Sequence, residues 1–324
     1  MTIMAKKRIQ YPYDPAPTIV ADSATETSHR YPDVYDIQET GALAGHQIID
    51  DQTVELSTDS EFKIRLTLWT DTIWQVRYTR EAFSEQPSYA ITPGRQPAGT
   101  LFNVLEEEYQ LVLESESIRC IIQKSNCQLS FVDKQQQTTV LEEACPYLER
   151  STILEGANHL RVSFQSQEDE VFYGLGDKSW DLNLKGRHFL NWNSDAFGYY
   201  WEKDPLYRTI PFYYGVKGEQ AYGIFLHNTW RTHFDFGTAN DEIVRMWAEG
   251  GEMDYFFCYG PSLNEVAQSY HYLTGVPELP PLWTLGFHQC RWSYYPEARV
   301  RKLAETFREL NIPCDAIYLD IDYM

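Results

Sequence analysis

The chain has 324 residues, enough for two domains, and its hydrophobic content of 43% can fill packed cores. Its formal net charge of −20 argues against nucleic acids and anionic membranes as partners, because both select basic surfaces. The six cysteines form no C-x-x-C pair, so we expect buried free thiols and a reducing, cytoplasmic location.

The first 30 residues are polar, and they hold no apolar run long enough for a signal peptide. Pro12, Pro15 and Pro17 lie close together, ahead of a patch rich in Ser, Thr and Glu. We therefore expect residues 1–30 to form a flexible leader. No stretch of the sequence approaches the length of a membrane span, so no membrane partner is expected.

Short segments of alternating apolar and polar residues follow, from about residue 45 to 165. Ile64, Leu66 and Leu68, for example, would lie on one face of a strand. Turn signals such as Ser125-Asn126 separate the segments, and strands at this spacing are typical of an antiparallel sandwich. The predicted strands are 63–68, 73–78, 109–113, 118–122, 127–132 and 160–164.

The β pattern continues to about residue 260, and a helix follows it. Ser262 and Glu265 have the spacing of a capping box, and Gly275 would end the helix. We expect a β-sandwich domain over residues 31–260, then a helix and a proline-rich linker over residues 261–280. The additional predicted strands are 172–176, 212–216, 222–226, 231–236 and 253–259.

Residues 281–324 have the pattern strand, helix, strand. The predicted strands 283–288 and 316–321 are largely apolar, which is typical of strands buried on both faces of a parallel sheet. The predicted helix 297–310 carries one apolar stripe. This order predicts the start of a (β/α)8 barrel. Because a barrel takes about 250 residues, we expect the chain to be the N-terminal part of a longer enzyme.

Polar and aromatic residues follow both predicted barrel strands, where (β/α)8 enzymes hold their chemistry. Asp320 and Asp322 would point to the same side of one strand. By spacing alone, a binding role for these acids and a structural role as a cap or salt bridge are equally good interpretations. His288 has no second histidine at ligand spacing, so we expect a structural histidine and no metal.

Another candidate is the loop of residues 191–199, which joins two β segments and holds Trp, Tyr, Asn and Asp side chains. That mixture suits sugar hydroxyls and ring faces. By composition alone, an ordinary surface loop is the simpler interpretation.

Five sequence blocks, in family order from about residue 170, resemble glycoside hydrolase family 31, the retaining α-glucosidase family. The blocks are 172–178 (FYGLGDK), 193–199 (NSDAFGY), 204–212, 286–296 (GFHQCRWSYYP) and 312–324 (IPCDAIYLDIDYM). The resemblance implies a mainly β chain. Its N-terminal, galactose-mutarotase-like β-sandwich would be followed by the truncated β-α-β start of a (β/α)8 barrel at residues 281–324.

The resemblance also implies roles for individual residues. Asp195 matches an acid on a sandwich loop that reaches the active site and hydrogen-bonds sugar hydroxyls. Trp292 matches an aromatic residue that lines the subsite of the terminal sugar. Asp320 matches an acid that binds the non-reducing-end sugar, and Ile321 lies beside it. The family's nucleophile and acid/base are aspartates on later strands, so no catalytic residue is assigned in this chain, and no cofactor is expected.

The leading interpretation is an enzyme that removes terminal α-linked glucose from oligosaccharides by retaining hydrolysis. This chain is interpreted as its N-terminal fragment and would be inactive alone. Retaining chemistry needs two carboxyl groups about 5–5.5 Å apart on opposite sides of the bond. Asp320 and Asp322 on one strand cannot be that pair, so Asp320 is assigned to binding. The alternatives are a non-catalytic carbohydrate-binding β-sandwich, a truncated chain with no function of its own, and an α-glucosyltransferase, lyase or α-xylosidase of the same family.

Overall fold

The computed structural model describes residues 35–99, 103–152, 158–238 and 240–323. The expected leader at residues 1–30 lies outside these ranges. The chain divides into two compact units, Met1–Thr274 and Gly275–Met324. In the described ranges, no helix is both long enough and apolar enough to cross a membrane.

The first unit is built from antiparallel strands. In chain order they are β1 (Tyr35–Glu39), β2 (Leu43–Ile48), β3 (Thr53–Thr58), β4 (Lys63–Thr70), β5 (Ile73–Thr79), β6 (Asn103–Glu106), β7 (Gln110–Glu114), β8 (Ile118–Gln123), β9 (Leu129–Asp133), β10 (Thr138–Thr152), β11 (Asn158–Gln165), β12 (Val171–Gly176), β13 (His188–Asn191), β14 (Thr209–Lys217), β15 (Gln220–Leu226), β16 (Thr232–Phe236), β17 (Ile243–Ala248) and β18 (Met253–Gly260).

These strands form two sheets. Sheet 1 has the spatial order β13-β16-β17-β11-β10-β9-β8-β7-β6, and β1 also pairs with β10. Sheet 2 has the order β12-β14-β15-β18-β5-β4-β3-β2. Strands distant in sequence are therefore neighbours in both sheets.

The two sheets pack face to face around one hydrophobic core. Phe131 of sheet 1 stacks on Phe257 of sheet 2 with ring centroids 4.3 Å apart. Tyr147 of sheet 1 stacks on Tyr78 of sheet 2, also at 4.3 Å. Full burial of a large apolar side chain contributes about 1.5–3 kcal/mol to stability. The β-sandwich predicted from strand spacing is confirmed.

Strand β18 is buried along its whole length because sheet 2 is covered on both faces. Tyr255 faces the core between the sheets, whereas its neighbour Phe256 packs with Val266 of helix α1 (Leu263–Thr274). Successive residues of a strand point to opposite faces, so a strand covered on both sides is largely apolar, and Asp254 is the one charged residue of β18.

Helix α1 begins at the predicted capping box. The Ser262 amide donates to Glu265 Oε2 at 3.1 Å, and the Glu265 amide donates to Ser262 Oγ at 3.4 Å. Gly275 follows the helix with φ +84°, a conformation that glycine adopts without steric cost. The two ends of this helix were therefore encoded locally.

The second unit alternates strands and helices. Its elements are a 3-10 turn (Leu282–Leu285), β19 (His288–Cys290), helix α2 (Glu297–Glu309), β20 (Ala316–Tyr318) and a 3-10 turn (Ile321–Tyr323). Strands β19 and β20 are parallel, with Cys290 opposite Tyr318. A parallel strand–helix–strand unit is how a (β/α)8 barrel begins.

The prediction of a buried strand over residues 283–288 is wrong. The Thr284 amide and hydroxyl both donate to the Pro281 carbonyl, at 3.0 and 2.7 Å, and close a 3-10 turn there. Trp283 and Leu285 are 52% and 72% exposed. Extended pairing starts only at His288, because the local hydroxyl bond competes with a strand conformation.

The prediction of a strand over residues 316–321 is correct at its start but wrong at its end, because the strand ends at Tyr318. Asp320 has φ +64°, which breaks the strand after Tyr318, and its carboxylate accepts the Ile321 amide at 2.7 Å. Aspartate tolerates this left-handed conformation because its short side chain bonds the local backbone. Asp322 lies in the following 3-10 turn, so the expected placement of both acids on one strand face is contradicted.

The cysteines are free thiols, but the expectation of burial fails for two of them. Cys290 is exposed and Cys145 is half-buried. Cys127 is buried with φ +58° directly after the turn of residues 124–126, so the strand predicted from residue 127 begins instead at Leu129.

Candidate active site

Asp195 lies on the loop of residues 192–208, which joins β13 of sheet 1 to β14 of sheet 2. Its side chain is exposed, whereas its neighbour Ala196 is buried. Among the residues that the structure describes, the Asp195 carboxylate has no hydrogen-bond or ion-pair partner. The two oxygens are therefore available to an external hydroxyl donor.

A buried ion pair holds the base of this loop. Lys178 Nζ lies 2.8 Å from Asp204 Oδ1 and donates to the Leu190 carbonyl at 2.9 Å. Asp204 Oδ2 accepts the Leu190 amide at 2.5 Å. Burial lowers the pKa of Lys178, and the Asp204 carboxylate opposes that effect. These bonds connect the loop to the end of β12 and to β13.

Two further contacts fix the residues beside Asp195. Asn193 Oδ1 accepts the Thr209 amide at 2.8 Å and the Thr209 hydroxyl at 2.9 Å. The Ser194 amide donates to the Leu206 carbonyl at 2.9 Å. The outgoing and returning arms of the loop are thus joined directly before Asp195, so the exposed carboxylate is carried on an ordered backbone.

Aromatic side chains surround the same loop. Trp180 stacks on Trp201 with ring centroids 5.6 Å apart, and the Arg187 guanidinium lies 3.9 Å from the Trp180 ring. Trp201 is 55% exposed, and Phe197 on the loop is 95% exposed. An exposed aromatic ring can stack on the apolar C–H face of a sugar ring. A carboxylate can accept hydrogen bonds from the sugar's hydroxyl groups.

In the second unit, Trp292 and Asp320 occupy matching positions. Trp292 follows the last residue of β19 by two positions, and Asp320 follows the last residue of β20 by two positions. Because Cys290 is opposite Tyr318 in the parallel register, both residues leave the same edge of the sheet. Trp292 and Ile321 are exposed, and Asp320 is half-buried.

His288 links the two parallel strands. Its Nδ1 lies 3.1 Å from the Tyr318 hydroxyl, and its ring stacks on Trp283 with centroids 5.8 Å apart. The structure therefore gives His288 the structural contacts that were expected of it. Gln289 donates to the Tyr294 hydroxyl at 2.7 Å and so ties together the turn that carries Trp292.

The structure brings three of the four predicted binding residues together. Trp292, Asp320 and Ile321 lie at the carboxyl edge of the second unit's sheet, and Asp195 lies on the loop of the first unit. Sequence reasoning missed the pair Lys178 and Asp204. Both residues were inside recognised sequence blocks, but nothing in their spacing indicated a contact across 26 positions.

Two family models match the chain. A model described as the glycosyl hydrolase 31 N-terminal galactose mutarotase-like domain matches residues 63–235. The chain belongs to glycoside hydrolase family 31. A second model, of the glycosyl hydrolases family 31 TIM-barrel domain, matches residues 277–324. The resemblance drawn from the five sequence blocks is confirmed, and the family 31 blocks at 286–296 and 312–324 lie within the barrel match.

Two curated proteins resemble this chain over more than half of its length. The chain is 35% identical over 259 residues to Alpha-glucosidase 2 of Bacillus thermoamyloliquefaciens, covering 77% of this chain and 31% of the relative. It is 32% identical over 173 residues to an Alpha-glucosidase of Saccharolobus solfataricus, covering 53% of this chain and 25% of the relative. The chain therefore spans about a quarter to a third of the length of these curated relatives.

A solved structure supports the fold assignment in family 31. A mutant of the Flavobacterium johnsoniae GH31 dextranase, complexed with isomaltotriose, superposes with a TM-score of 0.79 and 31% identity. The match covers 89% of this chain and 34% of the dextranase chain. The sandwich and the barrel start described above are thus the architecture of that family.

Proposed function

We propose that the protein to which this chain belongs is a retaining glycosidase that removes terminal α-linked glucose from oligosaccharides. The observation that carries the proposal is the placement of Trp292 and Asp320 at one carboxyl edge of paired parallel strands. Chemistry in (β/α)8 enzymes is located at that edge. The relatives named Alpha-glucosidase and the dextranase structure complexed with isomaltotriose support the substrate class.

In this proposal the residues of the chain bind and orient the sugar. The Asp320 carboxylate accepts hydrogen bonds from sugar hydroxyls, and Trp292 covers an apolar ring face. The exposed Asp195 carboxylate of the first unit is assigned the same chemistry, as an acceptor for sugar hydroxyls. Hydrogen bonds to a charged group contribute on the order of 1.5–3 kcal/mol each. Holding the sugar in one orientation lowers the entropy cost of the bond-breaking step that follows.

We assign neither the nucleophile nor the acid/base to residues 1–324. Retaining hydrolysis needs one carboxylate to attack the sugar and a second carboxyl group, about 5–5.5 Å away, to protonate the leaving oxygen. Asp195 and Asp320 are assigned to hydroxyl binding instead. Purified residues 1–324 should therefore give no turnover of an aryl α-glucoside. Hydrolysis well above a buffer blank would contradict this part of the proposal.

The decisive experiment uses the full-length protein and an aryl α-glucoside. Asp195→Ala should lower kcat/KM roughly ten- to a hundredfold, because one charge-assisted hydrogen bond is lost. Asp181→Ala is a matched control, since Asp181 is also an exposed carboxylate of the first unit but lies outside the 192–208 loop. Near-wild-type kinetics for Asp195→Ala would exclude this loop from the site. Faster turnover of an aryl α-xyloside than of the glucoside would favour the α-xylosidase alternative.

A further inference from the structure

A cleft lies at the far end of the sandwich from the Asp195 loop. Strand β14 starts beside that loop at Thr209 and ends at Lys217, which spans roughly 25–30 Å for nine extended residues. Gln220 begins the next strand, and its side-chain amide donates to Gln136 Oε1 at 2.8 Å. Gln136 lines a cleft of about 570 Å³. The cleft is therefore separated from Asp195 by the length of the sheet.

Loop ends and one helix face form the walls of this cleft. The contributing segments are the turns after β4, β7 and β9, the end of β18, and helix α1. Ligand sites in proteins commonly have volumes of roughly 300–1,000 Å³. The cleft falls within that range, and Asp195 does not line it.

The lining of the cleft disfavours anionic ligands and offers hydrogen-bonding groups that suit hydroxyls. Among the described residues that line the cleft, none is Lys, Arg or His, whereas Glu116, Asp133 and Glu265 are acidic, so an anion would meet like charges. The exposed side chains of Glu116, Gln135 and Gln268 have no hydrogen-bond partner elsewhere in the described ranges. They present carboxylate acceptors and amide groups that both donate and accept.

The carboxylates of the cleft do not form a metal centre. Across the part of the chain that the structure describes, no three His, Cys, Asp or Glu side chains are grouped closely enough to hold an ion. A cation therefore lacks the converging oxygen ligands that calcium or magnesium requires. Dispersed carboxylates and amides suit the dispersed hydroxyl groups of a sugar chain instead.

The floor of the cleft is ordered before any ligand arrives. Tyr259 donates its hydroxyl hydrogen to Asp133 Oδ2, and both residues are buried. Asp133 Oδ1 accepts the amides of Gln135 and Gln136 at 2.7 and 2.9 Å. Burial alone would raise the pKa of Asp133, but these hydrogen bonds together lower it. An ionised carboxylate thus fixes the turn that carries the two glutamines.

An aromatic wall completes the cleft. The half-buried Tyr272 ring has the Arg95 guanidinium 4.2 Å from its centroid, a contact that limits the ring's freedom to rotate. Tyr272 lies one helical turn from Gln268 along α1, so the ring and the amide belong to the same helix face. A sugar could therefore meet an apolar ring and a hydrogen-bonding amide at adjacent positions.

We propose that this cleft binds a neutral oligosaccharide, at a site separate from the Asp195 loop. The inference goes beyond the proposed hydrolysis and does not depend on it, because it rests on the shape and the side chains of the sandwich end alone. Ordered walls reduce the entropy cost of binding.

Titration calorimetry on residues 1–324 tests the proposal, with maltotriose and isomaltotriose as the probes. The chain carries Asp195→Ala so that the loop does not contribute to binding. Saturable binding of either trisaccharide is expected, and Gln268→Ala combined with Glu116→Gln should weaken it at least tenfold. Both positions are exposed, so folding should survive, as an unchanged thermal midpoint would show.

The matched control is Asn264→Ala, because Asn264 is exposed on the same helix but does not line the cleft. It should leave the affinity unchanged. Absence of saturable binding, or equal affinity in the Gln268 and Glu116 variant, would overturn the proposal. In the full-length protein, Gln268→Ala combined with Glu116→Gln should hydrolyse a small aryl α-glucoside at the wild-type rate. Loss of trisaccharide binding at the cleft can therefore be distinguished from loss of the proposed hydrolysis.

Discussion

Lys178 Nζ and Asp204 Oδ1 lie 2.8 Å apart and close the base of the loop that carries Asp195. The Lys178 side chain is 4% exposed and the Asp204 side chain 16% exposed. Both partners also bond the backbone of Leu190, so the ion pair joins three segments of chain. The exposed Asp195 carboxylate is thus carried on a loop whose base is fixed by a buried ion pair, which favours precise placement of a ligand.

Removal of one partner of this pair should destabilise the first unit. Lys178→Met leaves the Asp204 charge buried without compensation, and we expect a loss of about 3–5 kcal/mol in the free energy of unfolding. Arg208→Ala is the control, because Arg208 pairs with Asp177 at 2.9 Å but is 80% exposed, and should cost less than about 1 kcal/mol. Denaturant unfolding measures both values. Equal losses in the free energy of unfolding for the two variants would show that burial does not make the Lys178–Asp204 pair more important for stability than the exposed pair.

Gly174→Ala should be far more damaging than Gly218→Ala. Both glycines have positive φ, at +128° and +53°, but a Cβ on Gly174 would lie 2.5 Å from the Phe212 carbonyl oxygen, whereas one on Gly218 meets nothing within 4 Å. We expect roughly 3 kcal/mol or more for Gly174→Ala, since the clashing atom is backbone, and about 1–2 kcal/mol for Gly218→Ala. Thermal unfolding of the two variants tests the difference, and similar midpoints would contradict it.

Glu143 is a buried acid at the centre of the sandwich. Its carboxyl group accepts the Tyr78 hydroxyl at 2.8 Å and the Leu129 amide at 2.9 Å. Burial raises its pKa from 4.5 to about 8, and these hydrogen bonds only partly oppose the rise. The folded protein therefore binds a proton that the unfolded chain has lost over this range of pH.

The free energy of unfolding should consequently fall as pH rises from about 5 to 8. Glu143 contributes most stability below pH 4.5, and its share of the slope is up to about 1.4 kcal/mol per pH unit. Glu143→Gln should flatten the profile, whereas Glu219→Gln, an exposed control, should not. Denaturant unfolding at a series of pH values checks this. An unchanged slope in Glu143→Gln would mean that the group ionises normally in the fold.

Asp320 combines a backbone role with a proposed binding role, and two substitutions separate them. Asn tolerates the left-handed φ of +64° and can still accept the Ile321 amide, whereas Ala does neither. In the full-length protein, if it hydrolyses α-glucosides as proposed, Asp320→Asn should preserve the unfolding midpoint and lower kcat/KM roughly tenfold or more, because only the charge is lost. Asp320→Ala should reduce both. Wild-type kinetics for Asp320→Asn would show that the charge is not used.

The strands that were predicted correctly are those whose pattern is set by burial of one or both faces. Strand β5 alternates, and β18 is apolar except for Asp254, so both were visible in the sequence. Strand β10 was not, because its 15 residues include Pro146 and three register shifts at which the alternation is interrupted. Burial of Glu143 in that strand depends on Tyr78 and Leu129, partners that no local pattern could indicate.

The candidate site was accessible to sequence reasoning in a different way. Composition left the Asp195 loop as an ordinary surface loop, and only the resemblance to family 31 singled out Asp195, Trp292 and Asp320. The errors at the barrel strands have a common physical cause. Hydroxyl and carboxylate side chains at Thr284 and Asp320 bond the neighbouring backbone, and those short-range bonds replace the extended conformation that an apolar run suggests.

Strand β18 also determines when the sandwich can be completed during synthesis. It lies between β15 and β5, and the ion pair of Arg77 with Glu252 beside that junction joins residues 175 positions apart. Until the ribosome has released residue 260, β5 has no partner on that side and presents an apolar open edge. During synthesis, the edge of β5 therefore stays unpaired from residue 79 until residue 260 has been made, and it can associate with other chains in that interval. Chaperone binding would have its greatest effect during the same interval.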